Sequence, residues 1–88
     1  MSPAVSYVQP FTRFARPTIL GFSVCSACEW MGVAGFTVEQ AQAVMAHYGV
    51  GDYLKADKVK ACMKYGMRRG RGAAFSQEQA AEIRAIVA

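Results

Sequence analysis

Apolar positions crowd the first half of this chain and then thin out into a helical rhythm. From Pro17 the text reads "PTILGFSVCSACEWMGVAGF", twenty residues in which Glu29 carries the only charge. Uninterrupted apolar character of this length predicts one helix over residues 17–36, with Pro17 suited to its first turn. At ~1.5 Å per residue such a helix reaches about 30 Å, the thickness of a bilayer's hydrocarbon core, so it is expected to span a membrane. Residues 1–16 carry Pro3 and Pro10 and read as an irregular basic arm.

After Phe36 the pattern changes. In "FTVEQAQAVMAHYGVG" the apolar positions Val38, Ala41, Val44, Met45 and Tyr48 keep helical spacing. Thr37 and Gln40 form a capping box, and Gly49 is a terminator. Asp52 is placed to cap a second helix, "YLKADKVKACMKY", closed by Gly66, and "GMRRGRGAA" then reads as a basic loop. Last comes "FSQEQAAEIRAIVA", with Ser76 and Gln79 as another capping box and Ala80, Ile83 and Ile86 or Val87 along one side. "FTVEQAQA" and "FSQEQAAE" echo each other, but the echo fades after eight residues and reflects two good helix starts. No strand-like alternation competes, so the expected class is all-α: one transmembrane helix followed by two or three short amphipathic helices, with residues 37–88 outside the membrane.

Composition sharpens that picture. Hydrophobic residues make up 53% of the 88 and charged residues 18%, against about 25% charged in ordinary soluble domains. So short and apolar a chain is expected to cover its surface with lipid or with a partner. On the helix at 17–36, Gly21, Cys25, Cys28, Gly32 and Gly35 recur every three or four residues and share one narrow face. Small residues in that pattern let a second helix approach closely. Glu29 lies at the edge of this face, where a carboxylate in hydrocarbon needs a partner. It is expected to be a buried charge answered by a neighbouring subunit, and not a member of a proton pathway. Trp30 lies opposite. Arg13 and Arg16 precede the span without a nearby acid, which orients the arm to the matrix or cytoplasmic side.

Cys25, Cys28, His47 and Cys62 formally make a Cys3His zinc set. The two thiols of the CxxC sit in an apolar helix and not in a tight turn, so cysteine as a small apolar residue is the expectation, with no metal, cofactor or catalytic residue assigned. A thioredoxin-like role lacks both the βαβ context and a helix start at Cys25. Lys64, Arg68, Arg69 and Arg71 form a basic contact patch, suited to a solvated or salt-bridged contact within a complex, to anionic lipid, or to nucleic-acid phosphates. The soluble alternative is a helix-turn-helix at residues 37–65 that binds nucleic acid, although Lys55 falls where that motif wants an apolar residue.

In its whole plan, a short basic arm with "RFARP" leading into one span and a helical tail, the chain resembles the small single-span accessory subunits of mitochondrial inner-membrane complexes. Respiratory complex I, the cytochrome complexes and the ATP synthase all carry such subunits. The resemblance implies a non-catalytic structural and assembly role, with other subunits and the bilayer as partners and the inner membrane as the location. A thylakoid or bacterial membrane would require the same physics.

Overall fold

The computed structural model describes residues 16–88, and Arg13 with the rest of residues 1–15 of the predicted arm lies outside them. Two short strands come first, β1 (Thr18–Ile19) and β2 (Phe22–Ser23). Four helices follow: α1 (Val24–Ala34), α2 (Val38–His47), α3 (Ala56–Arg69) and α4 (Gln77–Ile86).

Residues 17–36 do not form one helix. Thr18 pairs with Ser23 and Ile19 with Phe22 in an antiparallel hairpin. Its two turn residues, Leu20 at φ +51° and Gly21 at φ +88°, are both left-handed, the pattern of a tight type I′ turn. Leucine pays roughly 1–2 kcal/mol for that conformation; Leu20 packs against the core, which offsets the strain. Ser23 then caps α1, its Oγ accepting the Ser26 N–H at 3.1 Å. Gly35, at φ +88°, ends the helix. There the Gly35 N–H bonds the Gly32 carbonyl at 3.2 Å and the Phe36 N–H bonds the Met31 carbonyl at 3.0 Å, a Schellman stop. The 11 residues of α1 cover about 16 Å, half a bilayer core. Among the described residues no helix is long and apolar enough to cross a membrane, which overturns the predicted span. The strand-free expectation fails at the same place, because a serine cap and a left-handed turn divide the apolar run.

The second half follows its sequence pattern more closely. Both capping boxes form: Thr37 with Gln40 opens α2, and Ser76 with Gln79 opens α4. Ala41, Val44, Met45 and Ile83 are fully buried. The predicted helix at 53–65 shifts to Ala56–Arg69, because Lys55 and not Asp52 occupies its N-cap, without a side-chain bond. Gly66 does not stop α3. It lies buried inside the helix, so the predicted basic loop is helical as far as Arg69.

The core gathers Ile19 from the hairpin with Val24, Cys28 and Met31 of α1, Val44 and Met45 of α2, Val59 and Met63 of α3, and Ile83 of α4. The seam between α1 and α3 is unusually tight. A Cβ added to Gly66 would stand 2.6 Å from the Glu29 Cα, and one on Gly32 would stand 2.7 Å from the Met63 carbonyl carbon. Past the helix end the chain turns back along α1. Gly72 passes Trp30, and the Ala73 N–H bonds the Ser26 carbonyl at 3.0 Å. Trp30 faces protein, stacked edge-on with Phe36 at 5.7 Å and Phe75 at 5.1 Å, with the Arg84 guanidinium 5.5 Å from its centroid.

Candidate functional site

α3 positions most of the charge. It buries Val59, Met63 and Gly66 against the rest of the fold, which turns the other positions outward. Lys58, Lys60, Lys64, Arg68 and Arg69 are all exposed, as are Lys55 before the helix and Arg71 after it. At about 100° per residue, Lys60, Lys64 and Arg68 form one row along the solvent side, while Lys58, Tyr65 and Arg69 form a second. The Arg69 and Arg71 guanidiniums lie 5.4 and 5.5 Å from the Tyr65 ring centroid, holding two cations at the C-terminal end of the patch. Of the chain's 10 basic residues, seven fall between Lys55 and Arg71, with Asp57 the single acid among them. That stretch therefore dominates the positive field of the molecule.

Part of this charge has a local use. Asp57 in the first turn and Arg68 and Arg69 in the last complement the helix dipole. The dipole accounts for neither Lys60 nor Lys64 in mid-helix. The basic patch predicted from Lys64, Arg68, Arg69 and Arg71 is thus one end of a longer surface that begins at Lys55. Lys58 and Lys60 join the patch through their helical register, opposite the buried Val59 and Met63.

The predicted helix-packing face is split. Cys28 and Gly32 are buried, and the helix that Gly32 admits is α3 of the same chain and not another subunit. Gly21 sits in the hairpin turn and Gly35 at the helix stop, so neither belongs to a packing face. Cys25 is exposed at the edge of the seam. Glu29 is only partly buried, and among the described residues no charged or polar residue is buried, which corrects its expected role as a buried charge. What the fold uses at this position is the backbone of Glu29, against which Gly66 packs.

The thiols differ in burial, with Cys25 exposed, Cys28 buried and Cys62 between them. Burial first, and then the nearby Cys62, Cys25 and Glu29, push the Cys28 pKa up to about 12. Burial first, and then the nearby Cys25 and Glu29, push Cys62 up to about 11, with Lys58 acting in the opposite direction. His47 does not join them. It is exposed at the end of α2 and stacks edge-on with Tyr48, the ring centroids 4.9 Å apart. Among the described residues no three His, Cys, Asp or Glu side chains are placed to hold a metal ion. On the far side, the Tyr48 hydroxyl donates to Glu82 Oε2 at 2.6 Å and ties α2 to α4.

Comparison with known protein families, with characterised proteins and with solved structures finds no match to this chain.

Proposed function

We propose that this chain binds double-stranded DNA through the outward side of α3, chiefly by contacts to phosphates. The observation that carries the proposal is the pair of cationic rows on one rigidly seated helix. An α-helix with its side chains is ~10–12 Å across and fits the ~12 Å major groove of B-DNA. Lys60 and Lys64 would then address the phosphates of one groove wall, and Lys58 and Arg69 those of the other. Ala61 and Arg68 would face the groove floor.

This differs from the motif expected at residues 37–65. The connection from α2 to α3 runs over residues 48–55, longer than the three or four residues of a helix-turn-helix. The short glycine turn, residues 35–37, instead joins α1 to α2. The outward residues of α2 include Glu39, Gln42 and His47 and carry no lysine or arginine. α3 therefore supplies the charge without the motif, and that favours phosphate contacts over base readout.

An anionic membrane would be drawn by the same charge, but interfacial helices also insert an apolar face. The apolar face of α3 is occupied by α1, and of its outward residues only Met67, 63% exposed, is a large hydrophobic. The membrane-anchored subunit role is not carried forward, since the helix expected to anchor it is not formed.

Fluorescence anisotropy of the full chain with a labelled DNA duplex over a salt series tests the proposal. Four or five phosphate contacts predict that log K falls against log salt with a slope of about −3.6 to −4.5. A-form RNA, whose major groove is too narrow for a helix, should bind more weakly. No binding at low salt, or a stronger response to anionic vesicles than to duplex DNA, would overturn it.

A further inference from the structure

The cationic surface changes character at Tyr65. From Lys55 to Lys64 its cations are lysines, and beyond Tyr65 they are Arg68, Arg69 and Arg71. Two of these arginines gather on one ring, with the Arg69 and Arg71 guanidinium carbons 5.4 and 5.5 Å from the Tyr65 centroid. Arg69 reaches the ring from one helical turn ahead, the i to i+4 spacing that brings side chains together on a helix. Arg71 lies past the helix and is brought back by the backbone. Gly70 takes φ +66°, and the Gly70 and Arg71 N–H groups both donate to the Gly66 carbonyl, at 2.7 and 3.2 Å. The chain therefore folds over the last turn of α3 instead of running away from it. Tyr65 is half-buried and both arginines are exposed, so the ring is the fixed member of the three.

Resting on the DNA reading above, we propose that Tyr65 is a positioning residue that holds Arg69 and Arg71 as a preorganised fork for the phosphates of one DNA strand. The fork lies on the groove wall assigned to Lys58 and Arg69, and it adds Arg71 to that wall. Two guanidiniums gathered at one place repel each other. The electron-rich face of the ring and the negative end of the helix dipole offset that repulsion. A guanidinium over a ring keeps the N–H donors along its edge, which are the groups that grip a phosphate bidentately. Holding the two long side chains in place beforehand reduces the freedom lost when phosphate binds. The lysines of α3, by contrast, act as mobile point charges. Because the ring does the positioning and the hydroxyl does not, phenylalanine should serve equally well.

The test measures duplex binding by the full chain over a salt series for the wild type, Tyr65→Phe and Tyr65→Leu. Tyr65→Phe should match the wild type, whereas Tyr65→Leu should weaken binding by roughly three- to tenfold. The same comparison in an Arg69→Ala/Arg71→Ala background separates positioning from structure: with the arginines gone, Tyr65→Leu should cost nothing further. Thermal melts confirm that each variant is folded. In the free chain, NMR should show ring-shifted side-chain protons on Arg69 and Arg71 with tyrosine or phenylalanine at position 65, and not with leucine. Unchanged affinity in Tyr65→Leu, a loss shared by Tyr65→Phe, or a loss that persists without the arginines would overturn the fork and leave DNA binding standing. Failure of the wild type to bind duplex at low salt would overturn both.

Discussion

On its inner side α3 gives Met63 and Gly66 to α1, where even one added methyl has no room; on its outer side the same helix carries lysines and arginines that are exposed. Fourteen residues thus answer to two different physical demands. Inside, shape dominates, because protein interiors are packed like organic crystals and resist both voids and overfilling. Outside, charge dominates, and most substitutions there change stability by no more than about 0.5 kcal/mol. The comparison teaches that function and fold can be altered separately on one helix.

The largest expected effect comes from breaking the inner side. Alanine is ordinarily about 1 kcal/mol better than glycine inside a helix, yet Gly66→Ala should destabilise, because its Cβ would meet the Glu29 backbone. Overpacking of this kind costs about 1–3 kcal/mol, and Gly66→Leu should leave the chain largely unfolded. Urea melts followed by circular dichroism check both; an unchanged or raised midpoint for Gly66→Ala would refute the tight seam.

Changing the outer side should leave the melt alone. Lys60→Glu together with Lys64→Glu is expected to shift stability by less than about 0.5 kcal/mol. Duplex affinity should fall by roughly ten- to a hundredfold, and the salt slope should become shallower by about two. Equal loss of stability and affinity would mean that the two sides of α3 are not separable.

The smallest effect is set by alkaline pH and involves groups away from the cationic rows. Cys28, Cys62 and Tyr48 have pKa values raised from 9.0, 9.0 and 10.0 to about 12, 11 and 12. Burial is the leading cause for each, and for Tyr48 the Glu82 carboxylate adds to it. The fold thus favours their neutral forms. Their contribution is complete below pH 9 and is lost as pH rises through 11 to 12. The unfolding midpoint should therefore decline above pH 9, and Cys28→Ala should flatten part of that decline; a midpoint that rises with pH there would contradict the sign.

Legibility in the sequence tracked how local each determinant was. The starts of α2 and α4 were readable because a capping box is settled within four residues: Thr37 to Gln40 and Ser76 to Gln79. Their buried sides were readable from spacing, as Val44, Met45 and Ile83 show. The apolar run was misread because its overall character outweighed two local signals within it, Gly21 for a turn and Ser23 for a cap. The small residues of α1 were legible as a docking surface in part, but the identity of the docked helix was not. Sequence spacing along one helix carries no information about which other helix fills the space beside it.

The sequence by itself determined where α2 and α4 begin, which of their residues turn inward, and that positive charge gathers late in the chain. Only the tertiary structure decided that Gly66 continues a helix and does not end one, and that Gly32 and Cys28 pack within the chain. The physical reason is the range of the forces involved. Caps and periodicity are satisfied within one or two helical turns, whereas a glycine's use as a stop or as a contact depends on whether another backbone arrives beside it.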